Sequence, residues 1–146
     1  MSTEIRLAIW QRPDPDNPLL QITRILCLTA FGSGVTGFTV PEHAIIDTGA
    51  PTSLIPKDLW EQCPVLKLGE SSIHGIVDRP ECSLPIIEGV IGCVLLDEAG
   101  HQSPELTIYA HLALTNDVPL LLGFGGLLDQ ADMRLAIGSR EAYLEI

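Results

Sequence analysis

Three apolar residues, Ala44-Ile45-Ile46, run directly into Asp47, Thr48 and Gly49. A carboxylate driven to the end of a greasy strand is expensive to hold unless it is hydrogen-bonded or neutralised. Such a group suits one of two roles. It caps loop amides as an Asx-type turn, or it moves protons as a general acid or base. The neighbours are compatible with both, since Gly49 permits a turn that a Cβ would hinder, and the Thr48 hydroxyl and the turn amides are natural partners for the carboxylate. Ser53-Leu54-Ile55-Pro56 then leads toward a helix.

A second stretch bears on the choice. Well downstream the chain reads Val118-Pro119-Leu120-Leu121-Leu122-Gly123-Phe124-Gly125-Gly126-Leu127-Leu128-Asp129, another apolar strand ending in glycine. Together the two stretches resemble the single-domain retropepsin-like aspartic proteases, in a form closer to bacterial and cellular members than to viral ones. The hallmark of that family is a hydrophobic strand entering Asp-Thr-Gly-Ala, followed later by two hydrophobic residues and a glycine that opens a short helix. The resemblance covers the chain from about Phe38 to Ile137.

What it implies is an all-β, closed barrel-like fold with one or two short helices, formed by a single domain over residues 1–146. The Asp-Thr-Gly loop and the Leu121-Leu122-Gly123 strand would cross beneath the active site, under a hairpin flap. The best match for the flap tip is Ser72-Ile73-His74-Gly75-Ile76-Val77, with Gly75 as the turn residue; an ordinary loop with an exposed His74 fits the same residues. By the same resemblance Asp47 is catalytic, Thr48 bonds across a two-fold axis, Gly49 leaves room for substrate backbone, and Ala50 completes the loop. Leu54, His74, Gly75, Ile76 and Leu121 are its candidate substrate contacts, with core packing the competing role for Leu54, Ile76 and Leu121.

Hydrolysis by paired carboxylates needs two aspartates close enough to share one proton, one acting as base toward a water and the other as acid toward the scissile carbonyl. Only Asp47 is followed by Thr-Gly; Asp78, Asp97, Asp117, Asp129 and Asp132 lie in other contexts. The expected assembly is therefore a homodimer acting on a peptide or protein substrate, with activity peaking in acid. Viral members carry charged residues after both motifs. Here those positions are Pro51-Thr52 and Phe124-Gly125, a joint loss that points to a different interface, since losing one partner would strand a charge.

The elements that position these residues read as strands. Ile5, Leu7 and Ile9 alternate with more polar neighbours, as do Leu144 and Ile146, so both termini read as strands, able either to form an intersubunit sheet or to complete each subunit. Further strand-like runs are Leu19–Ala30, Gly37–Val40, Ala44–Ile46, Pro85–Leu96, Leu106–Leu114, Leu120–Leu122 and Leu135–Ile137, with Pro13 to Pro18 as a loop. The helix candidates are Pro56–Cys63 and the short Leu127-Leu128-Asp129-Gln130.

Composition bounds the rest. Eight basic against nineteen acidic residues give a formal charge of -11, which disfavours nucleic acid and anionic membrane surfaces. No apolar run is long enough to span a bilayer, and the N-terminal MSTEIRLAIWQRPDPDNP lacks the pattern of a secretory signal, so a cytoplasmic setting is expected. Cys27, Cys63, Cys82 and Cys93 contain no CxxC pair and read as reduced thiols. No cofactor is called for, and His43, His74, His101 and His111 show no metal-ligand spacing on one strand. The main rival to a protease is a non-enzymatic domain of the same resemblance that binds peptides or dimerises.

Overall fold

The computed structural model describes residues 2–34, 37–73 and 83–146. In chain order its strands are β1 (Glu4–Arg6), β2 (Ala8–Pro13), β3 (Gln21–Phe31), β4 (Glu42–Ile46), β5 (Ser53–Ile55), β6 (Leu66–Ile73), β7 (Leu84–Leu96), β8 (Leu106–Ala113), β9 (Leu121–Leu122), β10 (Asp132–Ala136) and β11 (Glu141–Glu145). The helical content of the described residues is slight: one turn, α1 (Lys57–Trp60), and 3-10 turns that include Leu128–Gln130 and Ile137–Ser139. The chain is all-β.

Length makes the sheet close. β3 and β7 run for 11 and 13 residues, enough for each to pair with two different strands along one edge. β3 gives its first half to β2 and its last residues, Leu28 to Phe31, to β7, while its other edge holds β4. Hence β3, β4, β9, β5, β8 and β7 pair in succession and β7 returns to β3, a closed ring from which β2 and β6 extend. Closure satisfies backbone groups that an open sheet would leave at its edges.

The faces of the ring follow the strand period of two. On β8, Leu106, Ile108, Ala110 and Leu112 are buried while Thr107 and Tyr109 are exposed. The inward set joins Phe31, Ala44, Ile55, Ile91, Leu95, Leu122 and Leu127 in one cluster that draws on every strand of the ring. Leu54, Ala113 and Val118 form a second, smaller cluster, completed by Ile73, Leu84 and Leu121. Leu54 and Ile55 thus belong to different clusters, as do Leu121 and Leu122. The thiols of Cys27 and Cys93 sit in the main cluster, where burial pushes each to about 12 and leaves them unreactive.

The termini pair with each other. β1, β11 and β10 make an antiparallel three-stranded sheet, and Thr3 and Ile146 exchange backbone hydrogen bonds of 2.7 and 3.0 Å. Of the two roles open to the terminal strands, this is the one internal to the subunit.

Several boundaries differ from expectation. Gly37–Val40 is not a strand: Phe38 makes only an isolated bridge to Gly32, and Gly37 holds φ +94°, which an extended strand does not allow. Leu19 and Leu20 stand 93% and 55% exposed in the turn before β3, because Asp14 N–H bonds to Leu20 O and closes the hairpin there. The helix expected over Pro56–Cys63 is the shorter α1, and of Leu127–Gln130 only Leu128–Gln130 is helical. At Ile137 the expected strand end is a 3-10 turn. β6 was invisible in the sequence because all but its last residue are exposed, leaving no alternation.

One carboxylate ties the hairpin turn after β7 to the N-terminal strand. Asp97, its side chain 2% exposed, accepts hydrogen bonds from Arg6 N–H and His101 N–H, each 2.9 Å, and contacts His101 Nδ1 at 2.8 Å. Burial opposes its charge, but the Arg6 and His101 amides and the His101 ring outweigh burial and hold the carboxyl at about 2. Because its folded value is depressed, its contribution is present above the ordinary 3.8 and is lost as pH falls toward 2. Asp97→Asn is expected to remove that acid-sensitive component and to cost about 1–3 kcal/mol at neutral pH, measured by urea unfolding across a pH series.

Candidate active-site loop

β4 and β5 are consecutive in sequence but not neighbours in the sheet. β9 lies between them, parallel to β4 and antiparallel to β5. The loop from Asp47 to Thr52 therefore arches over the end of β9 to reach β5. Parallel pairing continues to the loop's first residue: Ile45 N–H bonds to Leu120 O and Asp47 N–H to Leu122 O, both at 2.9 Å. Asp47 is thereby fixed where the strand stops.

The crossing is stapled by backbone. Phe124 N–H bonds to Ala50 O at 3.0 Å and Gly125 N–H to Pro51 O at 2.9 Å, so the residues after β9 hang from the loop above them. Gly123 N–H donates to the Ser53 hydroxyl, 3.0 Å away and fully buried. A Cβ on Gly123 would lie 2.5 Å from Ala50 O and 2.8 Å from Thr52 C, so only glycine lets the strand pass beneath the loop. Gly126 is constrained in the same way, with φ +79° and a Cβ position 2.4 Å from Thr107 O.

Asp47 is half-buried, and its Oδ1 accepts the Gly49 N–H at 2.9 Å while its carbonyl accepts Ala50 N–H at 3.2 Å. Among the described residues Oδ2 has no hydrogen-bond partner. Thr48 and Gly49 are exposed and Ala50 is half-buried. Any Cβ at Gly49 would come within 3.3 Å of Oδ1, so glycine keeps the carboxylate approachable from that side. The loop presents one carboxylate with one oxygen bonded to its own turn and the other without a partner among the described residues.

The structure brings together Asp47, Thr48, Gly49, Ala50, Leu121, Leu122 and Gly123. Leu54, 3% exposed, packs in the smaller cluster beside the part-buried Leu121, with Ile73 and Leu84 from the arms of the β6–β7 hairpin. His74, Gly75 and Ile76, the expected flap tip, lie outside the described residues. Ile73 and Leu84 form the last described pair of that hairpin. Sequence reasoning missed Ser53. Its only signal was a hydroxyl next to two buried apolar residues, which gains meaning once Gly123 is placed beside it.

In comparisons with known proteins, no protein-family model and no curated protein matches the chain. Among the described residues no helix is long and apolar enough to cross a membrane.

The crossing makes a direct forecast. Gly123→Ala forces backbone against backbone and is expected to cost at least ~1–3 kcal/mol. Ser53→Ala leaves the Gly123 amide unpaired, for a loss of about 1–3 kcal/mol. Chemical denaturation of both variants measures these losses.

Proposed function

We propose that the chain is a retropepsin-like aspartic endopeptidase, active as a homodimer that brings the Asp47 carboxylates of two subunits together around one water. The observation that carries this reading is the insertion of β9 between β4 and β5, which seats Leu121-Leu122-Gly123 directly beneath the Asp47-Thr48-Gly49-Ala50 loop. The hydrophobic strand, the acidic turn and the hydrophobic-hydrophobic-glycine strand are also adjacent in space, which supports the reading.

In the proposed mechanism the two carboxylates share one proton. The ionised aspartate takes a proton from the water as it attacks the scissile carbonyl, and the protonated one donates to the carbonyl oxygen. Like charges this close do not both ionise, so the pair titrates as a unit and activity peaks in acid. Phe124, 40% exposed beside the loop, offers an apolar contact between subunits where viral members place charges. The β6–β7 hairpin fits the flap role, since Ile73 and Leu84, its last described pair, pack against the cluster that holds Leu54 and Leu121. Among the described residues Cys27, Cys63 and Cys93 form no disulfide, and Cys82 lies outside the described residues.

The 2.9 Å bond from Gly49 N–H to Asp47 Oδ1 favours a second reading, in which Asp47 only shapes its turn and the domain binds peptides or dimerises without cleaving them. Asp47→Asn separates the two. On an unstructured peptide library at acid to neutral pH, this substitution is expected to lower cleavage by about 10²–10⁴-fold or more without dissociating the dimer in sedimentation. Cleavage that survives the substitution, or that persists in a strict monomer, overturns the mechanism. A dimer that cleaves nothing in that range supports the binding domain.

A further inference from the structure

Next to the candidate loop lies a cleft of about 210 Å³ lined by Thr52, Leu68, Glu88, Gly89, Tyr109, Ala110 and His111. Register explains its composition. Glu88 on β7 stands directly opposite His111 on β8, and Val90 opposite Tyr109, so Glu88, His111 and Tyr109 share one face. Leu54 stands opposite His111 on the other side, which makes the cleft continuous with the apolar cluster of Leu54, Ala113 and Leu121. The surface thus changes from apolar at Leu54 to acidic at Glu88 within two steps across the sheet.

Four observations fix the charge preference. Glu88 is exposed and supplies the cleft's carboxylate. Burial holds the His111 imidazole below its ordinary value, against the opposing pull of Glu88, which disfavours a second cation beside that carboxylate. Among the described residues no lysine or arginine lines the cleft, and the nearby Lys67 reaches over the Trp60 ring, 5.9 Å from its centre. Tyr109 and Leu68, 55% and 56% exposed, offer a ring face and an apolar wall to a long cationic side chain.

We propose that this cleft selects a lysine or arginine side chain of an extended peptide, with Glu88 as its anionic partner. Thr52, which ends the Asp47 loop, lines the cleft, and the strand order β4-β9-β5-β8 sets Leu121 and Leu54 between Asp47 and His111. The selected residue is one set apart from the cleaved bond by an apolar residue. The distance to the bond rests on the protease reading; the charge preference does not.

The test scans a single Lys, Arg, Gln, norleucine or Glu through each position of short unstructured peptides. Cleavage is read with wild type and binding with Asp47→Asn, each with and without Glu88→Gln or Glu88→Lys. Lys and Arg are expected to exceed Gln and norleucine by about five- to tenfold at one position. Glu88→Gln should bring that ratio near unity, and Glu88→Lys should turn it toward Glu. Absence of a cationic preference at every position overturns the proposal, as does a preference that survives Glu88→Gln. If nothing is cleaved but the binding preference appears and is lost with Glu88→Gln, the cleft stands and the protease reading falls. Peptides neither bound nor cleaved remove both.

Discussion

The structure turns on a strand of two residues passing under a loop. β9 enters the sheet between β4 and β5, and the loop joining those two strands can only close by crossing above it. Every detail nearby answers to that crossing. Gly123 has no room for a Cβ, the Phe124 and Gly125 amides bond upward to Ala50 and Pro51, and the buried Ser53 hydroxyl receives the Gly123 amide. Asp47 is held by the same set of bonds. A carboxylate fixed by backbone pairing on one side and by its own turn on the other is positioned without relying on long, flexible side chains.

Around this crossing the long strands bring about closure. β3 and β7 each serve two partners on one edge, so the ring closes while β2 and β6 are left to project. Ile73, at the end of the projecting β6, and Leu84, at the start of β7, pack against the smaller apolar cluster. The projecting β2 is kept from recruiting another strand: Arg140 bonds to Ile9 O at 3.3 Å and to the Gln11 side chain at 3.1 Å, and Pro13 offers no amide.

Polar anchors fix α1 and the N-terminal strand, whose Leu59, Trp60 and Ile5 also enter the main core. Asp97 draws together Arg6 and His101, and α1 is pinned by Asn116 Oδ1 on Asp58 N–H and by Trp60 Nε1 on Ala113 O, each at 2.8 Å. The Trp60 bond ties α1 directly to β8 of the ring, and the others join the turns and short elements around it. They let a chain rich in glycine and proline keep its loops in place around the site.

The sequence by itself determined the all-β character, most of the strands, and the two motifs that hold Asp47 and Gly123, because those rest on local patterns: runs of apolar residues broken by glycine and proline. It could not show β6, whose exposed face carries no alternation, or the failure of Gly37–Val40 to form a strand, which depends on the conformation of one glycine. Only the tertiary structure decided that β9 threads between β4 and β5, that the termini pair within the chain, and that Glu88, His111 and Tyr109 share a face. Such facts depend on register between residues far apart in the chain, and no local pattern carries that information.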